Sequence, residues 1–503
     1  MLNVGLIIKG LMKIRINLPM RSVVFFVFIL SFTCNSLKAQ SFSALQNSNY
    51  SGVNGIYTNP ASVTLMTHKR SANIGGFGFE FSNDYLKLDA PFSLWDLMNG
   101  NVDAQYKDQN GDLKWDQNWV TTDPNKSLIN LNLNSEFRGP AYVNQYGRFV
   151  WGTATRTRSQ IDISNTSVGL WQFARQWLDS QKLVNPLELS SLNLSARANS
   201  YQEISAILGY RLVNNSTFKL GFGTTLKGIL GLGSVNVQNT AMRFKAIGMD
   251  TIQMSDGYME IAYTDNNLLG QLLSGVIAGS LPSLSNIKGL GFGMDIGISM
   301  EIGSNMSTEM NAREGFKDYR FKFGAAILDI GSVGYRNQNK GYIINTTTAP
   351  FNLALNNLQF IQAATEGTKG ILDYVISNAK DQGILESNNQ ITRIELPSTL
   401  QLQADIKVLK GVFVAAHWQQ ALLLGNKWEF SQTNSLAVVP RFEHKWFEFA
   451  LPLRYRNNFN RWSFGAHLRT GPLFIGSDNM ANIFQVAPYS GMTFYMGITT
   501  LIK

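Results

Sequence analysis

Asp108, Asn110, Asp112 and Asp116 stand at positions 1, 3, 5 and 9 of a short polar stretch, the spacing of the oxygen ligands in a calcium-binding loop. Such a loop needs a glycine at its sixth position and a bidentate glutamate at its twelfth. Here Gly111 falls at the fourth and Trp119 at the twelfth. The stretch therefore reads as a polar hairpin tip turned by Asn110-Gly111, with calcium as the alternative. The histidines His68, His417, His444 and His467 show no ligand spacing such as i, i+4, and no mature cysteine helps them. No Gly-x-Ser-x-Gly elbow occurs, and Gly221-Phe222-Gly223 lacks the spacing of a dinucleotide loop. No catalytic residue, resident metal or cofactor is expected.

Chemistry being absent, the elements must explain the chain. Lys9, Lys13, Arg15 and Arg21 precede an apolar run from Val23 to Phe32, and Leu37-Lys38-Ala39 ends in a small residue. This is the layout of a cleaved leader over residues 1–39. The run is about ten residues, against the ~20 a spanning helix needs. Cys34, the sole cysteine, lies in the leader, so the mature chain has no disulfide or thiolate chemistry.

Charged residues make up 15% of the chain, below the ~25% usual for soluble proteins, yet no apolar window of ~18 residues follows the leader. Low charge without apolar runs is what alternating strands produce. Five of the basic residues, the four above and Lys38, belong to the leader, so the formal +9 falls to about +4 and does not point to nucleic acid.

The alternation is explicit. Phe218, Leu220, Phe222 and Leu226 interleave with Lys219, Gly221, Gly223, Thr225 and Lys227. The same split recurs over 202–212, 294–302, 401–408 and 461–469. Runs of about ten residues with one apolar and one polar face are the pattern of a transmembrane barrel, because hydrocarbon tolerates only a closed ladder of backbone hydrogen bonds. The fold expected is all-β, a transmembrane antiparallel barrel of about fourteen strands over residues 71–503. A soluble β-sandwich is the lesser alternative.

Asn214-Asn215-Ser216, Lys410-Gly411 and Asn457 to Asn460 read as tight turns on the periplasmic side. Longer connections then face outward. Three carry helical period: Gly169 to Val184, Asn267 to Ile277 and Leu358 to Lys380. Trp446, Phe447, Phe449, Tyr455, Phe459 and Trp462 fit interfacial girdles.

The inward face reads as basic. Arg211, Lys219, Lys227, Arg320, Lys322, Arg454, Arg456, Arg461 and Arg469 outnumber Asp295, Glu301 and Asp405 in the runs recognised. A charge facing lipid costs about 2–4 kcal/mol at the midplane, so these side chains, and His417 and His467, are assigned to the lumen. They would attract an acidic head group or pair with a plug.

Residues 40–70 lack alternation but carry Phe42, Leu45, Tyr50, Val53, Ile56 and Tyr57, too many apolar groups for a solvated tail. With Tyr57-Thr58-Asn59-Pro60-Ala61-Ser62 just ahead of the first strand, the segment resembles the N-terminal hatch of the FadL-like family of outer-membrane transporters for long-chain fatty acids and other hydrophobic compounds. Gly293-Met294-Asp295-Ile296-Gly297 and Ala326 to Gly331 also look like internal strands of its Bacteroidota relatives, and the layout is similar to a barrel family of that phylum described only as a domain of unknown function. The resemblance implies a hatch role for Asn59, Pro60 and Ala61, placed inside the barrel near the first strand. It implies an outer-membrane location, lipid around the wall and passive uptake of a small hydrophobic or amphipathic compound. Some barrels of this kind instead serve as partner subunits of protein-secretion or surface assemblies, the second expectation here.

Overall fold

The structure, a computed structural model, describes residues 42–502 except 67, 94–95, 97–100, 109–112, 115, 117–118, 173–187, 248–249, 265–286, 305, 307–318, 336–338, 356–357, 367, 388–391, 423–433, 457–460 and 481–490. The leader, its junction at Ala39, Asn110, Asp112, the expected helix over 267–277 and most of that over 169–184 thus lie outside the described residues.

The alternating runs form a closed antiparallel barrel of fourteen strands. They are β1 (Arg70–Asn83), β2 (Leu128–Tyr146), β3 (Phe149–Ser167), β4 (Ser195–Asn214) and β5 (Phe218–Thr240). Next come β6 (Gly289–Ile302), β7 (Phe321–Tyr335), β8 (Thr399–Leu409), β9 (Val412–Ala421) and β10 (Ser435–Glu443). The circuit ends with β11 (Phe447–Ala450 and Leu453–Arg456), β12 (Arg461–Phe464 and Ala466–Thr470), β13 (Leu473–Ser477) and β14 (Gly491–Ile502). β1 pairs with β2 on one side and β14 on the other, Arg70 lying opposite both Asn144 and Ile502. The ring therefore leaves no open edge for lipid to meet.

Two-residue periodicity sorts the side chains. Trp151, Ile204, Leu208, Phe222, Ile298, Phe323, Leu402, Trp418, Leu436, Leu468 and Met496 are exposed on the outer wall, while Lys227, Glu203, Arg156 and Glu301 on alternate positions are buried inside. Bulges reset the pattern at Leu232 of β5, opposite Ser200-Tyr201, and in β7 opposite Met294–Ile296. In the second, Asp329 adopts φ 59°, a left-handed conformation that a short polar side chain tolerates better than most. Its N–H donates to the Asp295 carboxylate at 2.7 Å.

Tight turns at Asn215–Thr217 and Lys410-Gly411 share a rim with Arg70 and Ile502. Asn457 to Asn460, expected at the same rim, lies outside the described residues, and the strand ends it joins are at the opposite rim. Arg456 pairs with Arg461 and with Ser435, which faces Gln419 at the far end of β9 from Gly411. Strand count, not turn length, decides the rim, because each antiparallel strand reverses the chain.

At the long-loop rim, Leu131, Leu133, Ile161, Ile163 and Val235 point outward yet are buried. They share one apolar cluster with α2 (Leu358–Thr365), α3 (Thr368–Asp381) and a small sheet built from Glu188–Leu192, Met242–Ile247, Thr251–Ser255 and Phe351–Ala354. The first helix among the described residues, α1, spans Ser43–Asn47. The helical period read over Leu358 to Lys380 thus appears as two helices, whose apolar face includes Phe360, Leu372, Ile376 and Ala379. Tyr263, on a strand (Tyr258–Thr264) that pairs with the end of β5, donates its hydroxyl to Asp373 of α3.

Candidate functional site

Residues 42–66 lie in the lumen. After α1 come 3-10 turns at Gly52–Tyr57 and Pro60–Leu65, nearly every residue of them buried. Asn59 caps the second turn, its side chain accepting from the Ala61 N–H at 2.9 Å, and Pro60 takes the first position, where its missing donor costs nothing. Asn59 Nδ2 donates to the Ile298 carbonyl of β6 at 2.9 Å. Asn59, Pro60 and Ala61 therefore sit against β5 and β6, not beside the first strand as the sequence suggested; the segment crosses the lumen from one wall to the other. A three-residue motif carries no information on that crossing, which the following wall contacts fix.

The wall is hollowed where the segment lies. A Cβ on Gly223 would come within 2.4 Å of the Pro60 carbonyl oxygen, one on Gly297 within 2.2 Å of Asn59 Oδ1, and one on Gly209 within 2.7 Å of Thr64 Cγ2. Only glycine permits so close an approach of two backbones.

Polar side chains hold the segment along its length. Ser43 donates from its N–H (3.2 Å) and hydroxyl (2.6 Å) to Asp478. The Ser48 hydroxyl donates to Glu448 at 2.6 Å, and Asn49 donates from its N–H and Nδ2 to the two oxygens of Glu443 at 2.9 and 2.8 Å. Asn54 Nδ2 donates to Thr499 of β14 at 2.6 Å and to Asn73 of β1 at 3.3 Å. The Arg138 guanidinium stacks 3.8 Å from the Phe42 ring centroid and 4.4 Å from that of Tyr57, desolvated cation–π contacts. Burial pushes the Tyr57 phenol up to about 12, against the pull of Arg156 and Arg138, so it stays neutral.

The expected basic residues separate into several groups. Arg211 donates to the Thr64 carbonyl. Lys227 bridges Asp295 (2.6 Å) and Asp329 (2.5 Å). Arg454 meets Asp478 (3.4 Å), Arg456 meets Glu80 (2.7 Å) and Arg469 meets Glu448 (3.2 Å), with Arg469 also 4.2 Å over the Tyr50 ring. Lys219 faces Glu301 and Lys322 faces Asp405 in register. Arg320 is exposed at the short-turn rim, beside the Phe321 ring, because it precedes its strand. The Arg461 side chain is outside the described residues.

A basic lumen is not what these residues make. Buried acids, including Glu80, Glu136, Glu203, Asp329, Glu443, Glu448 and Asp478, outnumber the buried bases among the described residues. Arg156 grips Glu203 with two 2.9 Å bonds, Arg158 meets Asp329 at 2.8 Å, and Arg441 joins Asp405 to Glu443. Sequence reading missed Arg138, Arg156, Arg158 and Arg441. Their signal was present in Glu136-Phe137-Arg138 and Arg156-Thr157-Arg158, charges two apart and hence on one strand face.

Asp108 and Asp116 are exposed in the loop after β1, near the Lys107–Leu113 bridge of a small hairpin. His417 contacts Gln401 at 2.6 Å through Nε2, and His467 stacks on Tyr495 at 5.7 Å. Among the described residues no group of His, Cys, Asp and Glu is placed to hold a metal.

The fourteen-stranded ring defines the class, a closed antiparallel β-barrel with a chain segment in its lumen. The chain belongs to the family of unknown function DUF5723, matched over residues 60–478. Among solved structures it is similar to a TodX deltaS2S3 mutant monoaromatic hydrocarbon channel (9% identity, 94% of this chain and 98% of that chain, TM-score 0.39). It is also similar to a Pseudomonas aeruginosa FadL homologue (11%, 88% and 93%, 0.37) and the P. putida toluene transporter TodX (8%, 88% and 92%, 0.38). No curated protein matches the sequence.

Proposed function

We propose that the mature protein, cleaved near Ala39, resides in the bacterial outer membrane and passes a small amphipathic or hydrophobic compound, with residues 40–70 as a hatch. One observation carries this reading: residues 42–66 fill the lumen but are fastened to the wall by individual hydrogen bonds, at Asp478, Glu448, Glu443, Thr499 and Arg211. Each such bond contributes about 0.5–1.5 kcal/mol, more where a charge takes part, so the segment can undock stepwise without breaking the barrel ladder. The paired charges of the lumen remove the motive for an acidic head group, and favour a cargo without net charge.

A second reading, a partner subunit of a secretion or surface assembly, draws on the helices and small sheet covering the outward face at the long-loop rim. A deletion strain assayed for uptake of radiolabelled apolar and amphipathic probes decides between them when paired with purification from native membranes. Lost uptake supports the hatch-gated path; normal uptake together with a stoichiometric co-purifying protein defeats it.

A further inference from the structure

Beyond the ion pairs, on the long-loop side, the inner faces of four neighbouring strands carry amides in register. Asn134 of β2 lies opposite Gln160 of β3, Gln160 opposite Asn199 of β4, and Asn199 opposite Ser234 of β5. One step toward the rim, Asn132 lies opposite Asp162, Asp162 opposite Arg197, and Arg197 opposite Asn236. Gln238 follows on β5, opposite Ser195. Asp162 and Arg197, adjacent in register and of opposite sign, leave the patch without net charge.

These amides are only partly satisfied by the protein. Asn134 Nδ2 donates to Asn132 Oδ1 at 2.7 Å, Asn132 Nδ2 to the Ile161 carbonyl at 3.1 Å, and Asn236 Nδ2 to Ser234 Oγ at 2.7 Å. Among the described residues, the carbonyl oxygens of Asn134, Gln160, Asn236 and Gln238 accept nothing. Gln160 is 3% exposed and Asn236 0%. A buried amide oxygen with no donor is costly, and native interiors rarely leave one so. Two on the neighbouring β2 and β3, about 4.8 Å apart across the ladder, and two at successive inward positions of β5 make a patch of acceptors awaiting O–H or N–H groups. Two tyrosines border the patch: Tyr201 is the next inward residue of β4 after Asn199, its hydroxyl unpartnered among the described residues, and Tyr335 donates to Asn199.

We propose that this amide wall is a binding site for a neutral polyhydroxylated ligand, a saccharide or the sugar portion of a glycolipid. Hydroxyl groups supply the missing donors, the amide N–H groups serve the ligand's oxygens, and the tyrosine rings offer faces for its C–H surface. A fatty acid or aromatic hydrocarbon would satisfy none of the four oxygens. An anion would find no net positive charge. The inference stands apart from the hatch reading, since it concerns binding on the long-loop side of the ion pairs, whatever the segment does.

The test is ligand-observed saturation-transfer NMR on the full mature barrel in a detergent with no sugar head group, using maltohexaose, a neutral glycolipid, hexaglycine and dodecanoate as separate probes. The expected result is transfer to maltohexaose or the glycolipid, weakened at least tenfold in Gln160→Leu and in the half-buried Gln238→Leu, with both variants retaining heat-modifiable migration. Response to the free oligosaccharide assigns a soluble sugar; response to the glycolipid alone assigns a lipid-borne one. Transfer to hexaglycine or dodecanoate in preference to both sugars overturns the proposal, as does sugar transfer that both folded variants leave unchanged. Binding is read in micelles without uptake, so a failed transport assay leaves this result standing and the reverse holds too.

Discussion

Arg211 of β4 donates from Nε and Nη2, at 2.9 and 2.6 Å, to the main-chain carbonyl of Thr64. A side chain of the wall thereby closes the last turn of the lumenal segment from outside it. Replacing it with leucine leaves that buried carbonyl unpaired at about 1–3 kcal/mol, a shift of roughly 5–150-fold toward the undocked segment. Single-channel recordings of Arg211→Leu in planar bilayers should show openings that wild type rarely makes. A current trace indistinguishable from wild type, from a folded barrel, would count against the hatch.

Gly223→Val probes the same contact from the glycine side. With a Cβ 2.4 Å from the Pro60 oxygen, the segment must leave the wall while the strand, whose φ suits valine, persists. Limited proteolysis should cut within residues 42–66 in this variant and spare them in wild type. Gly228→Val is the control: its Cβ would meet only the Ile204 carbonyl, at 3.7 Å, and should change nothing.

Removing residues 41–60 takes out α1 and the first 3-10 turn but no barrel strand. The expected product migrates as a folded barrel and conducts several-fold more than wild type. Unchanged conductance would show that the lumen is closed by something other than the segment.

Lys227→Met strands Asp295, 2.6 Å from that ammonium, while Asp329 keeps Arg158 at 2.8 Å. Breaking one member of a buried ionic group costs about 3–5 kcal/mol because a remaining charge loses its partner. The temperature at which the compact gel band disappears should fall clearly below that of wild type. Leu226→Met, one residue away on the lipid face, should leave it in place.

Much of the barrel could be read from the sequence because period two is a local signal. Phe218 to Lys227 declares its two faces within ten residues, and no partner strand need be known. The ring's direction of travel could not be read so: Asn457 to Asn460 looks like Lys410-Gly411, yet joins strands at the other rim. Charge balance was lost for a related reason. The basic residues read as inward include Arg454, Arg456 and Arg469, whereas their counterions Asp478, Glu80 and Glu448 were not among the acids recognised. Bulges such as that at Leu232 hide further inward residues, since one extra residue exchanges the faces. The resting place of Asn59-Pro60-Ala61 depends on glycines more than a hundred positions away, and no local pattern encodes it.

Asn54 has a consequence for how the ring holds itself shut. The seam between β1 and β14 joins the two ends of the chain, with Asn73 and Thr499 separated by 426 positions. Bringing such distant partners together costs about 5 kcal/mol beyond a constant, by the logarithmic law for loop closure. Asn54 bonds to both partners and also accepts from Arg138 of β2, so one amide spans three adjacent staves across the join. The lumenal segment is in this sense a clasp: the leading end of the polypeptide, folded back inside, grips the trailing end and offsets part of the entropy that opposes making a hoop from a ribbon.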